Sequence, residues 1–163
     1  MRKYHFIFIV AVLLFALSSS CFAAVNNKYF RADKQYFDVE TGQYVISGNI
    51  VIHLSNGFIA GDKARVKLST LEFWGTGGWT LKQDDVTFKG ESAYVVFGKN
   101  SAMIEGGADF QRPDLQITAD SVDYNWKTKI AEFKGNVKVV QTGQAPVGSE
   151  LVRYNVETKE FVN

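Results

Sequence analysis

The 163-residue chain is poor in the residues that build metal centres, disulfides and nucleophilic active sites. It has one cysteine, two histidines and two prolines. A single cysteine excludes an intrachain disulfide, so stability must come from packing and backbone pairing. Without Cys–His pairs, zinc clusters and most nucleophilic triads are excluded as well. Charge of one sign is also missing. The formal net charge is +1, which gives no electrostatic basis for nucleic-acid binding. Long apolar runs are absent: the longest, Phe6 to Leu17, is twelve residues, against the roughly 20 that a bilayer-spanning helix needs. No window reads as a capped helix of ten or more residues. Leucines do not recur at fixed offsets, which rules out a leucine-rich repeat.

The first residues have a clear reading. Arg2 and Lys3 precede the short apolar run, and small residues follow it. This pattern predicts a secretory signal peptide over residues 1–23, cut after Ala23. An uncleaved anchor is the alternative. Cys21 is not placed for lipidation, because Ser18 occupies the position three before it and Leu17 lies one step too far. Residues 24–163 then form one domain, long enough for a real core. Loss of Arg2 and Lys3 leaves that domain at −1, and loss of Cys21 leaves it without cysteine.

What remains is strand chemistry: Val, Ile, Phe, Tyr, Thr and Trp, punctuated by Gly and Asn. The segments NIVIHL (49–54), KARVKL (63–68), SAYVVF (92–97) and NVKVVQ (136–141) alternate with period two. An all-β domain is predicted. Over it runs a repeat. Acidic residues recur at Asp33, Asp62, Glu91, Asp120 and Glu150, in steps of 29, 29, 29 and 30. Three places before the first four stand Phe30, Ile59, Phe88 and Ile117; four places after them stand Phe37, Val66, Val95 and Tyr124. Fifteen places after them stand Gly48, Gly77, Gly106 and Gly135. At the overall glycine frequency, four such hits by chance have odds on the order of 10⁻⁴. A period in this range indicates stacked or rolled units. Each unit reads as two strands joined by a polar turn such as VETG (39–42) or NWKT (125–128), giving nine or ten strands. The glycines suit a bend or bulge at positive φ.

The acids invite a cation-ladder reading, but calcium needs six or more oxygens converging on one point, and each unit offers one carboxylate. Accepting hydrogen bonds at a bend suits them better. No metal ligands, cofactor site or catalytic residues are assigned. His53, the domain's one histidine, sits in a strand, and GTGGW (75–79) has no helix after it to hold a phosphate.

The pattern apolar-x-Ala-Asp-x-x-x-Tyr, then Phe-x-Gly-Asn-Val, resembles the repeat of the OstA-like family, which includes LptA, LptC and the N-terminal domain of LptD. Ile117–Asp120, Tyr124 and Phe133–Val137 carry it, as do Phe30–Asp33, Phe37 and Ile46–Ile50. The middle units depart, with Gly61-Asp62 and Gly90-Glu91 in place of Ala-Asp and Gly-Gly in place of Gly-Asn. The resemblance implies a taco-like β-jellyroll, a periplasmic location and no enzymatic activity. It also implies lipopolysaccharide as ligand, its lipid A acyl chains held between the sheets. Phe30, Phe37, Ile59, Val66, Phe88, Val95, Ile117, Tyr124 and Phe133 are then candidates for the lipid-facing surface. Arg112, with other basic residues, is a candidate for meeting phosphates at the mouth. The fifth unit is expected to lack its second strand, leaving a sheet edge near Tyr154, Val156 and Phe161. Such an edge can accept a partner's strand. Head-to-tail pairing would then build a homo-oligomer and join LptC-like and LptD-like jellyrolls. A membrane-anchored LptC-like relative and a β-repeat protein without lipid are the alternative readings.

Overall fold

The computed structural model describes residues 25–26 and 29–162. The expected leader, its cleavage point and Cys21 lie outside them. Twelve strands form one antiparallel sheet: β1 (Val25–Asn26), β2 (Phe30–Ala32), β3 (Lys34–Asp38), β4 (Gln43–Leu54), β5 (Gly57–Lys67), β6 (Glu72–Gln83), β7 (Val86–Val96), β8 (Ser101–Arg112), β9 (Leu115–Asn125), β10 (Ile130–Gln141), β11 (Val147–Asn155) and β12 (Glu160–Val162). Neighbours in sequence are neighbours in the sheet from β4 to β12, and β2 and β3 both pair with β4. A single 3₁₀ turn, Phe97–Lys99, joins β7 to β8.

The two-strands-per-unit reading describes β4 to β11. The count differs from nine or ten at the ends. The first unit's opening strand breaks at Asp33 into β2 and β3. The fifth unit, expected to have no second strand, has the short β12, whose Phe161 pairs with Tyr154.

The acid–glycine spacing has a steric cause. Gly48, Gly77, Gly106 and Gly135 have φ of 76°, 84°, 78° and 72°, and the next residues, Asn49, Gly78, Gly107 and Asn136, have φ of 50°, 80°, 86° and 48°. Two left-handed residues in succession bend the strand, and the ladder slips register there, for instance between Ser47 and Ile50 and between Thr76 and Trp79. Glycine is needed at the first position because a Cβ would strike the acid of the preceding strand. At Gly48 it would lie 2.5 Å from Asp33 Oδ2; at Gly106, 2.6 Å from Glu91 Cβ; at Gly135 it would meet Asp120 Oδ2. Asparagine at the second position tolerates left-handed backbone and donates to the same acid: Asn49 Nδ2 to Asp33 Oδ2 at 2.7 Å, Asn136 Nδ2 to Asp120 Oδ2 at 2.8 Å.

These bends line up into one crease, and the sheet folds about it. Phe110 of β8 and Tyr154 of β11 have ring centroids 5.5 Å apart. In a flat sheet three strand spacings would separate them by roughly 14 Å. Phe88 of β7 lies 5.4 Å from Tyr124 of β9 in the same way. The core therefore sits between the two halves of one folded sheet. One cluster is centred on Phe30, Ile46, Ile50 and Trp79, and the other on Phe110, Ile117, Val122 and Phe133.

Candidate functional site

Strand pairing organises the inner face into rows that run across the sheet, along the crease. Phe30 pairs with Ile52, Ile52 with Ile59, Ile59 with Leu81, Leu81 with Phe88, Phe88 with Phe110 and Phe110 with Ile117. On the other side of the crease a second row joins Phe37, Tyr44, Val66, Phe73, Val95, Ala102 and Tyr124. Phe133 belongs to a third row, through Val122 and Ile104. All nine candidates from the sequence thus lie on these rows.

Their burial is not uniform. Phe30, Val66, Phe88, Ile117 and Phe133 are fully buried, whereas Ile59, Val95 and Tyr124 are half-buried. Phe37 departs from the expected inward position, with 49% of its surface exposed. It sits on β3, a five-residue strand that pairs only with β4. Tyr44 covers one side of its ring at 4.9 Å, and no further row member lies beyond it.

The rows face one another and touch. Besides the Phe88–Tyr124 and Phe110–Tyr154 contacts, Phe110 meets Phe133 at 5.7 Å. The interior is closed upon itself, lined by aliphatic and aromatic side chains, and reaches from β2 and β3 to β11 and β12.

Arg112, a candidate for meeting phosphates at the mouth, is instead buried there with protein partners. It shares the inner face with Phe110, two residues earlier, and its side chain is only 2% exposed. Nη1 donates to Tyr154 OH at 3.0 Å and to the Val156 carbonyl at 3.2 Å, and Nη2 pairs with Asp85 Oδ2 at 2.7 Å. Lys159 Nζ lies 3.5 Å from the same Asp85 oxygen. Burial pulls the guanidinium's pKa down, but the hydrogen bonds to Asp85 and Tyr154 outweigh it and hold it above the ordinary value. The Arg112 hydrogen bond in turn holds the Asp85 carboxyl below its ordinary range. Asp85 and Arg112 come from one lip of the folded sheet; Tyr154, Val156 and Lys159 come from the other. The group clasps the mouth at its β8–β11 end.

The expected edge residues divide. Tyr154 is not at an edge: it is 2% exposed, packed on Phe110 and bonded to Arg112. Its row is covered because β12 adds one more strand beyond it. Val156 is half-buried in the following turn. Phe161 is 48% exposed on β12, which pairs with no further strand among the described residues. At the opposite end Tyr36, Phe37 and Val39 are exposed on and after β3. Among the described residues no three Asp, Glu, His or Cys side chains converge on a metal-sized site, and no helix is long and apolar enough to cross a membrane.

A family model described as "LptA/(LptD N-terminal domain) LPS transport protein" matches residues 29–160. Among solved structures the chain is similar to LptH, described as the LptA homologous periplasmic component of the conserved lipopolysaccharide transport device from Pseudomonas aeruginosa. The two are 14% identical, with a TM-score of 0.58 over 76% of this chain and 92% of that one. At that identity the likeness shows the fold, the taco-like β-jellyroll. No curated protein matches.

Proposed function

We propose, from the premise that this chain belongs to the LptA/LptD N-terminal domain family of lipopolysaccharide transport proteins, that it carries lipopolysaccharide across the periplasm with the acyl chains held between the halves of the folded sheet. The observation that carries this reading is the continuity of the apolar rows. Residues three before the repeat acids, from Phe30 to Ile117, meet through Ile52, Leu81 and Phe110 with no polar break. At about 4.8 Å per strand, the path from β2 to β11 is roughly 40 Å long. Exposing a twelve-carbon acyl chain to water costs roughly 10 kcal/mol, so a lipid ferried through an aqueous space needs such a path. The protein performs no covalent chemistry in this role. After export and loss of residues 1–23, copies pair head to tail, the β12 edge with Phe161 of one against the β3 edge with Phe37 of the next. LptC-like and LptD-like jellyrolls take the two ends of the stack.

A photo-crosslinking residue placed at Tyr124 in cells tests the reading. Lipopolysaccharide should attach there and not at Asp123, which points to the opposite face of β9. Attachment at Asp123 with none at Tyr124 would reject the interior as the carrier surface.

A further inference from the structure

The inner row beside the crease holds the small residues Gly61, Gly90, Ala108 and Ala119, with the aliphatic Ile50 paired to Gly61. It carries one aromatic ring. Trp79 stands between Gly61 and Gly90, paired directly with the latter, and only 5% of it is exposed. Its indole rests on bare backbone, because a Cβ on either Gly61 or Gly75 would lie inside the ring. Gly61 lies on the Ile59–Leu81 side of the crease and Gly75, paired with Ala64, on the Val66–Phe73 side, so the ring spans the crease. This explains why the middle units carry Gly61 where the end units carry Ala32 and Ala119.

The ring is held by packing and by one hydrogen bond. Phe73 meets it edge-on at 5.0 Å, and Nε1 donates to the Thr76 carbonyl at 3.3 Å, a long bond. The bend that precedes it is Gly77-Gly78, both at positive φ. In the first and fourth units the bend is pinned by an asparagine amide on the acid, from Asn49 to Asp33 and from Asn136 to Asp120. Gly78 has no side chain with which to pin Asp62. A bulky ring on a glycine floor, one step from an unpinned two-glycine bend, is placed to swing.

We infer that Trp79 is a built-in stopper: its indole occupies the trough where an acyl chain would lie, and a hydrocarbon gains that place by displacing it. The inference rests on the acyl-carrier reading above and adds which residue admits or excludes the chain.

The test uses the folded domain and two readouts. N-phenyl-1-naphthylamine, a small apolar fluorophore, should bind Trp79→Ala about ten-fold more tightly than the wild type, since an apolar vacancy takes apolar guests. Trp79→Phe, which keeps a ring on the floor, should stay near the wild type. Should the alanine variant fail to fold, Trp79→Leu is read in its place. Equal affinity in the wild type and the truncated variant overturns the inference. Independently, the wild type labelled with 5-fluorotryptophan is loaded with purified lipopolysaccharide, and the ¹⁹F resonance missing from Trp79→Phe is followed. It should move on loading. Lipopolysaccharide retained with that resonance unmoved removes the stopper and leaves the carrier standing. No retention by the wild type removes both.

Discussion

The crease predicts a graded glycine series. Gly135→Ala meets two penalties. Its φ of 72° is left-handed, which costs an L-residue about 1–2 kcal/mol. Its new Cβ also falls on Asp120 Oδ2, the oxygen that accepts Asn136 Nδ2 at 2.8 Å. Displacing the carboxylate loses a bond to a charged acceptor, worth about 1.5 kcal/mol at this exposed site. The expected total is roughly 3 kcal/mol. Gly107→Ala has the same backbone problem, φ 86°, but nothing within 4 Å of its Cβ, so it should cost about 1–2 kcal/mol. Gly98→Ala, in open space without positive φ, should stay within about 0.5 kcal/mol. Urea denaturation reads all three from the midpoint, provided the slope is shared. A double-mutant cycle isolates the contact: in an Asp120→Ala background the Gly135→Ala cost should fall toward the backbone share, because only the 3.1 Å approach to the Cβ of residue 120 remains. Equal costs at 107 and 135, or no relief from Asp120→Ala, would refute the steric account of the 29-residue spacing.

The mouth clasp and the edges give further tests. Arg112→Met leaves Tyr154 OH and the Val156 carbonyl without their donor and should destabilise the fold by about 2–4 kcal/mol in the same assay. Arg112→Lys should recover little of it, because an ammonium cannot span Asp85 and Tyr154 as a guanidinium fork does. Asp85 titrates below its ordinary value in the fold because of its hydrogen bond to Arg112. Its contribution is therefore complete above about pH 3.9 and lost as pH falls through the lowered value. Asp85→Asn should flatten that acid limb, and an unchanged limb would show the pair to be inert. Phe37→Lys and Phe161→Lys should weaken concentration-dependent association in sedimentation without moving the melting temperature. Association at wild-type strength would exclude both edges from assembly.

The repeat could be read from the sequence because its cause is local sterics: an acid, and a glycine one strand later that must lack a Cβ. The same offset from each acid likewise puts Phe30, Phe88 and Ile117 at equivalent positions of successive units. The ends were harder. Nothing in FRADKQYFD announces that the strand breaks at Asp33, or that Phe37 then has no neighbour on its far side. The sequence pattern puts Tyr154 at an edge because the fifth unit has no full second strand after its turn, whereas three residues, Glu160–Val162, add another strand. The middle-unit departures, Gly61 and Gly90, read as weakened motif. Gly61 is dictated by Trp79, a partner from the next strand, and a Cβ on Gly90 would strike Ile104. Alternation from Phe110 puts Arg112 on the inner face, but its partners, Asp85 and Val156 in turns and Tyr154 on β11, meet only once the crease forms.

The folded sheet also resolves a difficulty in carrying lipid. A trough held open and empty would expose its apolar rows at about 25 cal/mol per Å². Here the rows close on one another, Phe88 on Tyr124 and Phe110 on Phe133 and Tyr154. On the carrier proposal, loading replaces side-chain contacts with acyl contacts of similar dispersion strength. Such an exchange lets a lipid enter and leave without a deep trap. The motion it needs is a hinge about the crease. Ladder hydrogen bonds run from strand to strand, along that axis, so parting the halves leaves them intact and places the dihedral change on the left-handed pairs at the bends. The two ends are not equivalent in this respect. The Arg112 fork binds lip to lip at the β8–β11 end, while the apolar Leu54, Leu68 and Phe97 pack against the core at the β4–β7 end. Apolar lips can be parted by a hydrocarbon that replaces their contacts, and the hydrogen bonds of a buried guanidinium cannot. On the carrier proposal, opening begins at the β4–β7 end, beside Trp79 and the Gly77-Gly78 bend, which like Gly106-Gly107 has no asparagine to pin it.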